Sequence, residues 1–192
     1  WSNGATTQNI TASSAGTYTV AVTNGSGCSI TSSPVTVTVN YVPNMVVSNI
    51  GALSFCQGGA VTLTASGGFA SYIWSNGATS QSIIVNAAGT YSLTGYTSAG
   101  CTSTSSGVVV SIDSIPNVIV TAQGPTAFCP GDSVMLIANP GLSNYVWSNG
   151  QTGPSIWVHQ PGAYSVDAEN SNGCVGLSNS IQISLSTVPA TP

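Results

Sequence analysis

The tetrapeptide W-S-N-G begins at Trp1, Trp74 and Trp147, a constant interval of 73 residues in a chain of 192. The same interval carries Cys28 to Cys101 to Cys174 and Cys56 to Cys129. It also relates Tyr18, Tyr91 and Tyr164, then Gly16, Gly89 and Gly162, then Pro43, Pro116 and Pro189. No insertion disturbs the interval, so the chain must fold as copies of one small unit rather than as one large globule. The repeat divides it into residues 1–42, the back part of a first unit. Residues 43–115 and 116–188 form two whole units, and 189–192 begin a further unit or a linker.

Within a unit the apolar residues follow a period of two. Val61, Leu63 and Ala65 alternate with Thr62 and Thr64, as in a strand with one buried and one wet face. Met45 to Ile50 reads as a first strand and Tyr72 to Trp74 as a third, followed by an Asn76-Gly77 turn with the positive φ that glycine accepts. Ile83 with Val85, Tyr91 with Leu93, and Val108, Val110 and Ile112 continue the core face. No segment keeps a helical period. The expected fold is all-β, a tandem of β-sandwich units. The three prolines fall at short joints, and joints of that length predict units stacked as a rod. A unit of this size is small for a sandwich and calls for an extra staple.

Charge narrows the function. Lys and Arg are absent, and the only acidic residues are Asp113, Asp132, Asp167 and Glu169. Without cations the chain has nothing to neutralise phosphate, which argues against nucleic acid and anionic lipid as partners. No apolar run approaches the ~20 residues that span a bilayer as a helix. The absence of Lys and Arg also removes every trypsin-type cleavage site, which suits an exposed, protease-rich exterior. Trp1 reads as the middle of a unit, so a targeting segment would lie upstream.

The W-S-N-G-A-T and A-G-T-Y segments and the Gly-Cys pairs resemble the immunoglobulin-like repeats of giant Bacteroidota surface proteins. These include gliding-motility adhesins and other cargo of type IX secretion. Trp followed by an Asn-Gly turn is also similar to the third strand of polycystic-kidney-disease-type domains, and Gly89-Thr90-Tyr91 resembles the immunoglobulin tyrosine corner. The resemblance covers essentially the whole chain. It implies a structural spacer or stalk of a secreted cell-surface adhesin or filament, with no enzymatic activity and no cofactor. Its partners would be neighbouring repeats, surface glycans or other adhesin subunits. The alternative reading is a carbohydrate-binding module array of a secreted polysaccharide-degrading protein. One departure is that the cysteine falls ten residues after the corner Tyr, so the usual core disulfide is missing.

Cysteines without metal-ligand clusters read as disulfides of an oxidising compartment. One pairing is Cys56–Cys101 and Cys129–Cys174, with Cys28 bonded outside the chain. In an immunoglobulin-like sandwich, however, the loop holding Cys56 and the loop holding Cys101 lie at opposite ends, roughly 20 Å apart for strands of about seven residues. A disulfide needs Cα atoms within about 7 Å. Stacked units instead bring Cys56 to Cys174 across a joint, leaving Cys28, Cys101 and Cys129 for neighbours. Both pairings stand as readings of the sequence.

Other residues carry weaker signals. His159 is the single histidine, and its counterparts are Asn86 and Ser13, so a Ser–His–Asp site has no support in the repeat. Asp167 and Glu169 share a strand face, but calcium takes six to eight oxygens and the pair supplies few. No metal site is expected. Trp157 stands out of phase with Ile156 and Val158, so it points outward beside His159 as a candidate surface contact. Asp113-Ser114-Ile115 and Asp132-Ser133-Val134 are similar to the acceptor tripeptide of Bacteroidota O-glycosylation, which marks Ser114 and Ser133. Asn9-Ile10-Thr11 and Asn24-Gly25-Ser26 fit the N-glycosylation acceptor.

Overall fold

A computed structural model describes residues 1–186. Pro189 and the segment 189–192 lie outside the described residues. Among those described, every regular element is a β-strand. They form two compact units. One holds Trp1–Val46, Ala65–Gln81 and Ser92–Ser106; the other holds Val47–Thr64, Ser82–Tyr91 and the described residues from Gly107 to Ser186. The second sequence repeat therefore contributes strands to both.

In the first unit, Gly16–Tyr18 pairs antiparallel with Val35–Val37, and Ala21–Thr23 with Ser29–Thr31. Leu93–Tyr96 lies between Ser71–Trp74 and Thr102–Thr104. Met45 is buried, yet the strand expected from Met45 opens only at Val47. Side-chain hydroxyls take the ladder's place here. The Met45 N–H donates to Ser103 Oγ (3.2 Å) and the Val46 N–H to Ser66 Oγ (3.1 Å).

The second unit contains all the described residues of the third repeat. One sheet runs in the order Val120–Ala122, Val134–Ala138, Ser155–Val158. Facing it are Ser143–Trp147, Val166–Glu169 and Val175–Leu177, together with Gly162–Tyr164, Ile181–Leu185 and Ala127–Phe128. Residues of both layers meet in one core: Leu136, Ile156 and Val158 from the first, Trp147, Val166 and Ile183 from the second. Alternation in sequence becomes alternation in burial along Val134–Ala138 and Ser155–Val158. Each fully buried aliphatic contributes about 1.5–3 kcal/mol. The chain is an all-β protein of immunoglobulin-like sandwich type.

An element not read from the sequence sets the position of the cysteines. Ser54–Cys56 is a short strand that pairs parallel with the last strand of its repeat, Val108–Asp113, in the register Ser111 to Ser54 and Asp113 to Cys56. Ala127–Phe128 repeats the arrangement against Ile181–Leu185. The strand before it, Val47–Ile50, belongs to a different sheet, with Val61–Ala65 and Ser82–Val85. The chain thus changes sheets between residues 50 and 54, and Cys56 ends up alongside Asp113 instead of in an open loop.

Three hydrogen bonds recur in each repeat. The indole N–H groups of Trp1, Trp74 and Trp147 donate to the carbonyls of Thr7, Ser80 and Gly153 at 2.8, 2.8 and 2.9 Å. The hydroxyls of Tyr18, Tyr91 and Tyr164 donate four residues back, to Ser14, Ala87 and Gln160, at 3.0, 3.1 and 3.1 Å. That is the tyrosine-corner bond. Ser32, Ser105 and Ser178 accept from the N–H groups of Val20, Leu93 and Val166.

Candidate functional site

A cluster of polar groups in the second unit lies where the second sequence repeat gives way to the third. Cys56 and Cys174 are joined there by a disulfide with Cα atoms 5.5 Å apart. Cys174 is fully buried. The within-repeat pairing, Cys56 with Cys101 and Cys129 with Cys174, is not formed; Cys28, Cys101 and Cys129 carry free thiols. Its failure has a physical origin in the parallel strand, which delivers Cys56 to the Asp113 end of the repeat.

Asp113 is half-buried beside this bond and holds it from several sides. Its Oδ2 accepts from Ser54 Oγ and its Oδ1 from Asn172 Nδ2, both at 2.7 Å. Its carbonyl accepts from the Gln57 N–H at 3.0 Å. Asn170 Nδ2 donates to the Ser114 carbonyl at 2.8 Å, and the Gln57 Oε1 accepts from the Ile115 N–H at 3.5 Å. The turn that presents Cys174 is closed by Gly173 N–H to the Asn170 carbonyl (3.0 Å) and by Asn170 Oδ1, which accepts from the Cys174 N–H (3.0 Å). Gly173 has φ 78°, the left-handed value that glycine takes without strain.

This is a polar lock around one covalent bond, built from two strands and two turns without a cation. Hydrogen bonds to a carboxylate are roughly twice as strong as neutral ones, so one Asp takes the place an ion pair would occupy in an ordinary surface. The arrangement fastens chain segments to one another.

The fold is an immunoglobulin-like sandwich. No family model matches the sequence, and the search of curated proteins found no match. Among solved structures, the chain is similar to one chain of the crystal structure of a mouse coronavirus receptor-binding domain complexed with its murine receptor, at 13% identity and TM-score 0.38, over 74% of this chain and 100% of that one. It is similar to the human OSCAR ligand-binding domain at 16% identity and TM-score 0.33, over 75% and 100%. It is also similar to the fibronectin(III)-like modules of Clostridium thermocellum CbhA, at 12% identity and TM-score 0.34, over 73% and 95%.

The remaining sequence candidates are scattered. Ser114 is exposed and Ser133 half-buried at the entry to Val134–Ala138. Trp157 is 56% exposed and lies directly across from Met135 in the neighbouring strand. His159 is exposed at the end of the same strand. Glu169 Oε2 accepts from Asn144 Nδ2 at 2.7 Å. No group of three or more His, Cys, Asp or Glu able to hold a metal occurs among the described residues. Sequence reasoning missed Asn172, Ser54 and Gln57, which are ordinary polar residues in a chain made largely of them. Only their coincidence with a rare carboxylate, at 113, marked the place.

Proposed function

We propose that this chain is a structural spacer, a stalk segment of a large secreted cell-surface adhesin or filament that projects a binding tip and bears force. The observation that carries the reading is the Cys56–Cys174 bond with the Asp113 cluster around it, because it ties residues of consecutive 73-residue repeats to each other. A flexible string of beads has no use for such a tie; a stiff projection does. A disulfide also favours an oxidising, extracellular setting. The charge-poor, hydroxyl-rich surface fits a part that is exposed and meant to be inert. The motif resemblance supports a parent protein of the Bacteroidota surface adhesin type, carried as type IX secretion cargo, with neighbouring repeats as its main partners and Ser114 and Ser133 as proposed acceptors for sugars.

Pulling the chain by its ends tests the mechanical role. In the oxidised protein the 118-residue separation between Cys56 and Cys174 is held closed, so about 40 nm of extension, at up to ~3.5 Å per residue, is withheld until a reductant is added. A length gain indifferent to reductant would reject the spacer reading.

One observation favours a carbohydrate-binding module array instead: the exposed Trp157 beside Met135 offers a flat apolar face for a sugar ring. Ile84 and Thr11 stand at its equivalents, so the face is not repeated. Sub-millimolar binding of a neutral glycan, lost in Trp157→Ala, would transfer the assignment to this reading.

A further inference from the structure

The chain presents the same cysteine turn three times. In Asn24–Cys28, Thr97–Cys101 and Asn170–Cys174 a glycine with φ of 84°, 80° and 78° precedes the cysteine. In each, the first residue's side-chain oxygen accepts from the cysteine N–H, at 3.0, 3.1 and 3.0 Å. The receiving side is duplicated as well. Cys56 and Cys129 each open a turn closed back onto their own carbonyls, by Gly59 N–H at 2.9 Å and by Asp132 N–H at 3.1 Å. Backbone geometry alone therefore does not tell one cysteine pair from another.

Side chains do. At the position of Asn172 the other two turns carry Ala99 and Ser26, and at the position of Asp113 the repeat places Asn40 and Ser186. Ser54 is replaced by Ala127 on the second receiving strand. The carboxylate, its hydroxyl donor and its amide donor thus coincide only at the pair that is bonded. Asp113 spans that pair, one oxygen on Ser54 two residues before Cys56 and the other on Asn172 two residues before Cys174. We infer that Asp113 and Asn172 form a recognition key that selects Cys174 as the partner of Cys56 and so sets which repeats are stapled together. Asp113 acts as a positioning residue, since it is the thiols that react. The inference holds whether or not the chain serves as a spacer.

The experiment oxidises the full chain in a glutathione buffer. Two thiols and one oxidised glutathione give the protein disulfide and two reduced glutathiones, the two electrons passing to the glutathione. The equilibrium constant and the peptide map of the disulfides are read for the parent, Asp113→Ala, Asp113→Asn, Asn172→Ala and the Ala double variant. The parent should give Cys56–Cys174 alone. Asp113→Ala should lower its constant about tenfold, the scale of a charge-assisted hydrogen bond, and Cys56 should appear bonded to Cys28 or Cys101 of a second copy of the chain. Asn172→Ala, in an exposed turn, should do the same without affecting folding, and the double variant should add little to either. Asp113→Asn, which still accepts from Asn172, should restore the map. An unchanged constant and map in Asn172→Ala, or strictly additive losses in the double variant, would overturn the inference.

Discussion

Cys56 and Cys174 are 118 residues apart in sequence, yet their Cα atoms lie 5.5 Å from each other. The bond closes a loop longer than a whole repeat, and so it removes much conformational freedom from the unfolded chain. The loop-entropy relation gives about 5 kcal/mol for this length as an upper value. Cys174→Ser should lower the denaturant midpoint correspondingly, and reductant should bring the parent to the variant's value. Equal midpoints with and without reductant would show that the bond adds nothing to stability.

Trp147 is almost completely buried, and its indole N–H donates to Gly153 across its own Asn-Gly turn. Trp147→Phe removes volume and strands a carbonyl, so a loss of about 2–4 kcal/mol is expected. Trp74 makes the same bond in an equally buried site, and Trp74→Phe should cost a similar amount. Trp1 keeps the bond but is only half-buried, so Trp1→Phe should be much milder. Three equal midpoint shifts in urea unfolding would contradict this ranking.

Ser178 carries a buried hydroxyl that accepts from the Val166 N–H at 2.9 Å and donates to the Asn179 carbonyl at 2.8 Å. It continues the link to Val166 just past the end of the pairing between Val166–Glu169 and Val175–Leu177. Ser178→Ala leaves a buried N–H without its acceptor and should destabilise by about 1–3 kcal/mol. Hydrogen exchange offers the sharper readout, since the Val166 amide should lose protection in the variant while the Leu136 amide keeps it.

The repeats and their core were legible because aromatic, aliphatic and cysteine residues recur at one interval, and alternation such as Val61, Leu63, Ala65 maps directly onto a half-buried strand. The parallel strand Ser54–Cys56 was not. Three residues show no period, and their partner lies more than fifty residues ahead, a pairing that only the closed fold enforces. The site was half legible. Its cysteines stood out, whereas Asn172 and Ser178 were lost among many similar polar residues whose burial and partners are set by tertiary structure. Asp113 was read as the first residue of an acceptor-like tripeptide; the engagement of its carboxylate by Ser54 and Asn172 was not legible, because it depends on tertiary contacts.

Gly176 lies where the chain entering the third repeat crosses a strand. A methyl group there would run into the Pro116 carbonyl oxygen, and it would stand 2.9 Å from Val118 Cγ2 and 3.1 Å from Pro116 Cγ. Ser103 occupies the equivalent position one repeat earlier, where its hydroxyl accepts from the Met45 N–H. The same residue type is therefore tolerated at one position and excluded at the other, because Pro116 brings its backbone closer. Gly176→Ala should destabilise by about 1–3 kcal/mol through overpacking, and Gly176→Ser should fare no better although serine is natural at 103. Thermal unfolding of the oxidised chain measures both. A Gly176→Ser variant as stable as the parent would mean that the segment at Pro116 moves aside without cost.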